Sequence, residues 1–260
     1  MKSKYPFILV HGIALKDFLS FKSFGRIEKV LNENGFTAIT AKHDAFGTIE
    51  NNALQLKQEI EEIMKKYNVD KVNIIAHSKG GLDAKYLIND LQFNDHIASL
   101  TTICTPHKGS PVADYMLKLP NFLKSIMAFF INTFYHIIMK DKNPDALEVC
   151  RQLTSVDKIE NELENTNINV YCQSYSAELK KANHCMIVGF NLRIHKQFKT
   201  NPSDGLVTVE SSKYANYRGN CLNESLSHCQ VVDVFSKKNI RKKVYQFYIT
   251  MCDDLINKGF

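Results

Sequence analysis

The sequence predicts an α/β fold in which a mostly parallel sheet is flanked by helices and carries a helical insertion. The chain has 260 residues, 44% of them hydrophobic and 23% charged, which is typical of one large globular domain over residues 1–260. Short apolar runs predict strands at residues 7–10, 36–40, 72–75 and 97–104. Helix-like stretches at residues 23–34 and 48–67 separate the first three runs. This alternation favours parallel strands joined by right-handed crossovers.

The third predicted strand ends in a sharp turn with a serine at its centre. Residues 76–81 read Ala-His-Ser-Lys-Gly-Gly, and a helix-like stretch follows them. A nucleophile elbow needs this strand, turn and helix. Small residues two positions before and after the serine, here Ala76 and Gly80, let such a turn close. Ser78 is therefore the candidate nucleophile, and the alternative is an ordinary strand-to-helix turn.

A serine nucleophile needs a base, and the base needs an acid that orients it. In this type of fold the chain order is serine, then acid, then histidine. His228 is the last histidine, in a loop before the terminal helix, and Asp204 lies upstream in a Gly/Pro turn. We predict His228 as the base and Asp204 as its acid. His195 is the second candidate base, whereas Asp233 follows every histidine and fits this order poorly.

The developing oxyanion needs two backbone N–H donors. The amide of Lys79, directly after the serine, is the first predicted donor. The loop after the first strand, His11-Gly12-Ile13, is predicted to supply the amide of Ile13 as the second. We expect His11 to hold this loop by hydrogen bonding rather than to take part in the chemistry.

The alternation of predicted strands and helices stops at residues 111–165. This stretch contains no strand candidate and is predicted to be a helical lid or cap insertion. Residues 122–139 are almost uninterrupted in apolar character, with one polar stripe at Ser125, Asn132 and His136. The stretch has three interpretations: a transmembrane helix, a buried core helix, or a mobile lid whose apolar face covers the site in water and meets lipid when it opens. We favour the lid.

Later segments have weaker patterns. Further short helices are predicted to start at residues 143–145 and 155–157. Strands are predicted at 168–174 and 186–189, and an apolar run at 206–209 follows a strong turn signal. Residues 211–227 look irregular, and a helix is predicted at residues 240–257. The basic residues at the start of that helix are a solvated face or a contact for an anionic lipid surface.

Composition excludes several functions. A net charge of +6 without a dense basic stripe argues against nucleic-acid binding. The seven cysteines show no zinc spacing, so we expect free thiols in a reducing compartment. The first ten residues show no secretory signal, which predicts a cytoplasmic protein; a chain that starts after a removed signal would look the same.

Four segments together resemble the bacterial triacylglycerol lipases of the α/β-hydrolase superfamily: residues 6–12, 76–81, 105–110 (Thr-Pro-His-Lys-Gly-Ser) and 203–207 (Ser-Asp-Gly-Leu-Val). The resemblance covers residues 5–118 well and 200–235 in motif only. It implies an ester hydrolase with Ser78, Asp204 and His228 as its triad and a helical lid.

The family usually has a calcium ligand two residues after the catalytic histidine, and Gln230 stands there in this chain. Calcium is therefore doubted, and no cofactor is expected.

The prediction is thus a serine carboxylic ester hydrolase acting on acyl-lipid esters through an acyl-serine intermediate, with a peripheral lipid-surface contact among its expected partners. Within the enzyme class the alternatives are a short-chain esterase, a thioesterase or a phospholipase. In a different class, the alternative is a catalytically silent hydrolase scaffold that binds lipid or protein. The intact serine, aspartate and histidine argue against the silent form.

Overall fold

A parallel sheet of six strands forms the centre of the molecule. The computed structural model describes residues 2–154, 170–180 and 201–260. The strands lie in the order β2-β1-β3-β4-β5-β6, and every neighbouring pair is parallel. They are β1 (Phe7–Val10), β2 (Ala38–Thr40), β3 (Val72–His77), β4 (Ile97–Ile103), β5 (Tyr171–Ser176) and β6 (Asn216–Asn220). The predicted α/β class with a mostly parallel sheet is confirmed.

Seven α-helices accompany these strands in the described part of the chain. They are α1 (Ile27–Glu33), α2 (Ile49–Tyr67), α3 (Gly80–Asn89), α4 (Pro111–Leu117), α5 (Asn121–Ile137), α6 (Ala146–Gln152) and α7 (Lys238–Asn257). The Thr48 side chain caps the first turn of α2 by accepting from the Asn51 N–H, and Asn68 ends that helix in the left-handed conformation. The helix predicted from residue 23 begins only at Ile27, after a turn in which Gly25 has φ +49°.

The two faces of the sheet carry separate hydrophobic cores. Phe7 and Leu9 of β1 point to the side covered by α1 and α7. Ile8 and Val10 point to the opposite side, which α2 and α3 cover. Successive strand residues alternate between faces, so a strand buried on both sides reads as an unbroken apolar run.

The order of the strands fixes where a site can form. β1 pairs with β2 on one side and with β3 on the other, so the chain reverses its direction of winding between β1 and β3. Open α/β sheets bind ligands at such a switch point, beyond the carboxyl ends of the strands. Gly12 and Ser78 follow those two strand ends.

Helices α4, α5 and α6 form the described part of the insertion between β4 and β5, and no strand occurs within residues 111–154. No residue of α5 is buried, so the interpretation of residues 122–139 as a buried core helix is wrong. Among the helices that the structure describes, none is both long and apolar enough to span a membrane.

Several predictions for the later segments need correction or lie outside the described residues. Residues 211–227 are not wholly irregular, because they contain β6. This edge strand is half-exposed and has little apolar pattern to reveal it. The apolar run 206–209 forms no strand; it builds the turn after Asp204, closed by a bridge between Ser203 and Thr208. The predicted strand 186–189 and the helix start at 155–157 lie outside the described residues.

Candidate active site

Ser78 occupies a strained turn between β3 and α3. Its φ is +56°, in the left-handed region that a non-glycine residue seldom adopts, and its amide donates to the Ile103 carbonyl over 2.9 Å. Gly80 makes the turn possible, since a Cβ there would lie 2.5 Å from the His11 carbonyl oxygen. The predicted strand–turn–helix geometry of a nucleophile elbow is present.

The loop after β1 passes directly beside this serine. A Cβ on Gly12 would lie 2.6 Å from the Ser78 Cβ and 3.1 Å from its hydroxyl oxygen. The amides of Ile13 and Lys79 donate no hydrogen bond to any residue within the described ranges, so both remain available to a ligand. This is the placement expected of two oxyanion donors, although their role stays a prediction.

His11 lies under that loop and is fully enclosed. Its Nδ1 lies 3.0 Å from the Gly12 carbonyl, its own carbonyl lies 3.2 Å from His43 Nε2, and the two imidazole rings stack at 3.9 Å. Burial lowers the pKa of His11 to about 4, so the ring is neutral near pH 7. These contacts fit the expected loop-holding role.

Asp204 and His228 meet as the sequence predicts. His228 Nδ1 lies 2.6 Å from Asp204 Oδ2, and the His228 amide donates to the Asp204 carbonyl over 3.0 Å. The other carboxylate oxygen, Oδ1, accepts from the amides of Leu206 and Val207 at 2.9 and 2.8 Å. The Asp204 carboxylate is therefore held from both sides, and its contact with Nδ1 is the one expected of an acid that orients the imidazole.

His77 joins the candidate base to the candidate nucleophile, a link that the sequence does not predict. His77 is buried, and its Nε2 lies 3.0 Å from the His228 carbonyl, to which it donates. Burial, followed by the neighbouring His228, lowers the pKa of His77 well below its usual range, so it is neutral. Because His77 precedes Ser78 directly, this bond places the loop of His228 against the elbow. The one signal in the sequence was a histidine inside the elbow motif.

A second missed feature is a buried ion pair behind the elbow. Lys79 Nζ donates to Asp83 Oδ1 over 2.6 Å, and both side chains are 1% exposed. Asn52 Nδ2 donates to the other oxygen of Asp83 at 3.0 Å and to the Asp44 carbonyl at 2.9 Å. The spacing of Lys79 and Asp83, four residues apart on a helix start, was its only sequence signal.

Cys104 also lies at the site, and the sequence did not single it out. Its thiol lies within 4.8 Å of ligand atoms of Asp204 and His228, all three residues are buried, and burial raises the pKa of the thiol well above its usual range. A neutral thiol and an imidazole suit calcium poorly, because that cation takes six to eight oxygen ligands. The side chain of Gln230 accepts from the Ser227 amide at 3.0 Å and so closes a turn. Neither the cluster of Cys104, Asp204 and His228 nor the side chain of Gln230 therefore fits a calcium site such as the family has.

Of the two weaker candidates, the structure locates only Asp233. His195 lies outside the described residues. Asp233 accepts from Arg241 Nε at 2.7 Å and from the Tyr245 hydroxyl at 2.6 Å, so it anchors the start of α7. Arg241 belongs to the basic run of that helix, and Lys243 of the same run contacts Glu224; the run is therefore partly neutralised.

The three predicted catalytic residues are closed off from solvent. Ser78 is 6% exposed, His228 5% and Asp204 1%. The inner side of α5 packs beside the loop that carries Ile13, since Ala128, Ile131 and Tyr135 join Ile13 around a small apolar cluster. The large apolar side chains on the outer side of α5 are exposed, which contradicts the expectation that the apolar face of this stretch covers the site in water.

Comparisons with known proteins place these features in context. A family model described as palmitoyl protein thioesterase matches residues 6–192. Triacylglycerol lipase 2 of Saccharomyces cerevisiae is 31% identical over an alignment of 264 positions. The alignment covers 90% of this chain and 73% of the yeast protein. A triacylglycerol lipase of Pseudarthrobacter phenanthrenivorans is 32% identical over 165 residues, covering 59% of this chain and 51% of its own.

The crystal structure of Staphylococcus hyicus lipase has a TM-score of 0.69 at 16% identity, with 98% of this chain and 96% of that one covered. At this identity the likeness concerns the fold. The chain spans about half the length of the bacterial relative above and nearly three quarters of the yeast protein.

Proposed function

Because this chain belongs to the triacylglycerol lipase family of the α/β-hydrolase superfamily and is thus an ester hydrolase, we propose that it cleaves acyl-lipid esters through an acyl intermediate on Ser78. The observation that carries the proposal is the 2.6 Å contact between His228 Nδ1 and Asp204 Oδ2, in a loop that His77 binds next to the serine. These two contacts support acyl transfer, in which an acid orients the base and the base lies beside the nucleophile.

The reaction follows from these positions. With its Nδ1 proton directed at Asp204, His228 keeps Nε2 free to take the proton of the Ser78 hydroxyl as its oxygen attacks the ester carbonyl. The amides of Ile13 and Lys79 hold the oxyanion of the tetrahedral intermediate. His228 then gives the proton to the departing alcohol. A water molecule, activated in the same way, attacks the acyl-serine and releases the acid.

The exposed side of α5 supports a lipid substrate. Its large apolar side chains are between 36% and 68% exposed: Phe122, Leu123, Ile126, Phe129, Phe130, Phe134 and Ile137. We call these residues the α5 apolar face. A contiguous apolar surface of this kind marks a partner or a membrane surface. Residues 115–140 contain no carboxylate side chain but three lysines, Lys118, Lys124 and Lys140, which suits an anionic lipid surface.

We further propose that α5 acts as a mobile lid. The three proposed catalytic residues are almost fully buried, so an acyl chain reaches Ser78 only if a covering element moves. A lipid surface that binds the α5 apolar face would favour an open form, because a ligand shifts the population toward the conformation it binds better.

The nucleophile is tested with a fluorophosphonate probe and a chain-length series of nitrophenyl esters. Wild-type protein should be labelled at Ser78, and Ser78→Ala should lose labelling together with about 10⁴-fold or more in ester turnover at an unchanged melting temperature. If the alanine variant keeps substantial activity, another nucleophile operates and the proposal is wrong.

A thioesterase is the second candidate function, favoured by the family model that matches residues 6–192. The same residues cleave a thioester by the same steps, with a thiol as the leaving group. Palmitoyl-CoA and nitrophenyl palmitate present one acyl group with the two leaving groups. A kcat/KM ratio that strongly favours the thioester would select this candidate over the lipase.

A cytoplasmic location is also a proposal. It is supported by Cys104, Cys150, Cys172, Cys221 and Cys252, which are free thiols, as expected of a reducing compartment. Fractionation of the source cells tests it, and recovery of the protein in the extracellular fraction would contradict it.

A further inference from the structure

The end of α5 is fastened to the body of the protein next to the predicted oxyanion loop. Asp141 is buried, its Oδ1 accepts from Lys16 Nζ at 2.7 Å, and its Oδ2 accepts from the Phe46 amide at 2.9 Å. The amides of Lys142 and Asn143 donate to the Asp44 carboxylate at 2.9 Å. The residues that follow α5 are therefore held by a dense set of buried bonds.

Two contacts join this region of α5 to the loop that carries Ile13. Lys16 belongs to that loop, and the Tyr135 hydroxyl of α5 donates to the Ala14 carbonyl at 3.0 Å. The Tyr135 ring also packs on Phe46 at 4.4 Å, which limits its freedom to leave this position. The peptide after Ala14 is thus held by α5.

Ala14 is held in an unfavourable conformation. Its φ is +63°, in the left-handed region where the Cβ of an L-residue is crowded. A free loop would relax toward negative φ, and that rotation would turn the neighbouring peptides. The Ile13 amide belongs to the next peptide toward the N-terminus, Gly12–Ile13, so a rotation at Ala14 reaches this N–H through a single residue, Ile13.

We propose that Tyr135 is a positioning residue that keeps the Ile13 amide aimed at the oxyanion by holding the Ala14 carbonyl. Tyr135 acts through the loop and does not touch the reacting atoms. The proposal rests on the proposed function, because the direction of the Ile13 amide matters only if Ser78 is the nucleophile. It gives α5 a role in the chemical step that is separate from any contact with lipid.

Tyr135→Phe removes the hydroxyl and leaves the ring packing in place. Activity is measured on a short soluble ester, where no lipid surface takes part. We expect kcat to fall about 10- to 100-fold with KM within about twofold, because a misdirected oxyanion donor weakens binding of the transition state more than of the substrate. Tyr67→Phe, at the last residue of α2 before the amino end of β3 and so away from the strand ends that carry the site, is the matched control and should match the wild type.

A rescue variant separates positioning from mere packing. Glycine adopts positive φ without strain, so Ala14→Gly in the Tyr135→Phe background should recover at least about threefold in kcat over Tyr135→Phe alone. An unchanged kcat in Tyr135→Phe, a loss that appears in KM or in a much lower melting temperature, or a failure of the rescue would each overturn the proposal.

Failure of the proposed function looks different. In that case the wild-type protein would resist fluorophosphonate labelling, or Ser78→Ala would stay active. If those two tests succeed and Tyr135→Phe behaves like the wild type, only the role of Tyr135 is refuted.

Discussion

Replacing Lys79 with methionine removes the cation from an ion pair that is almost fully buried. Lys79 Nζ and Asp83 Oδ1 lie 2.6 Å apart, and each side chain is 1% exposed. Breaking such a pair costs about 3–5 kcal/mol, because the remaining charge has neither water nor a counter-charge. An unfolding entropy of about 2.1 cal/mol/K per residue over 260 residues makes this a fall in melting temperature of about 6–9 °C.

The same variant should depend on pH in a defined direction. Burial raises the pKa of Asp83, and the Lys79 charge and the hydrogen bonds from Lys79 and Asn52 oppose that rise. Without Lys79 the pKa of Asp83 rises further. A carboxyl group that binds its proton more tightly in the folded state loses stability as pH rises from its unfolded pKa of about 3.9 through its folded pKa. The deficit of Lys79→Met in melting temperature should be smallest near pH 4 and grow toward neutral pH.

Two further variants control this experiment. Lys29→Met breaks an exposed pair with Glu33 that has the same four-residue spacing and a 3.6 Å separation, so it should change stability by less than about 0.5 kcal/mol. Lys79→Met/Asp83→Asn removes both charges and should recover most of the loss. A melting temperature of Lys79→Met within about 2 °C of the wild type, or a double variant no better than the single one, would refute the reasoning.

Three other outcomes are expected. Ester turnover and melting temperature should survive EDTA, because Gln230 closes a turn where the family has a calcium ligand; a drop that added calcium reverses would show a site elsewhere. Phe129→Ser/Phe130→Ser should lower activity on an emulsified long-chain ester far more than on a soluble ester at an unchanged melting temperature, since both side chains are about two-thirds exposed; equal losses on both substrates would contradict the lid. Gly12→Ala should lower kcat by about 100-fold or more in steady-state assays, because its methyl group would press on Ser78 at 2.6 Å; near-normal turnover would mean that the loop can move aside.

The parts of the site that the sequence predicted are those coded by local pattern. Ser78 stands out because a buried strand, a turn of small residues and a helix occupy one short stretch. Asp204 and His228 followed from the chain order of the triad and from turn residues around the acid. For the same reason the buried strands of the sheet were predicted to within two or three residues.

Contacts between segments that are distant in the sequence could not be predicted from local pattern. The bond from His77 to the His228 carbonyl joins residues 151 positions apart, and nothing in the sequence around either residue indicates this contact. Lys79 reads as a surface residue, because burial of a charge becomes visible only once Asp83 and Asn52 are in place around it. β6 was missed because an edge strand needs hydrogen bonds from its neighbour more than it needs apolar side chains.

The exposed outer side of α5 and the packing of its inner side have one common physical cause. Turning the α5 apolar face inward would remove it from water, but the inner side of α5 already fits against Phe46 and Ile13 through the smaller Ala128 and Ile131. The helix therefore keeps its bulky side chains outside, where water is an unfavourable neighbour and a lipid surface a favourable one. If α5 moves outward on a lipid surface, as proposed above, it does so without first breaking a phenylalanine core. The bonds around Asp141 and the hydroxyl of Tyr135 hold the far end of α5 in place. Any movement that admits an acyl chain should thus begin at the Asn121 end of the helix. The loop that carries Ile13 should keep its position during this movement.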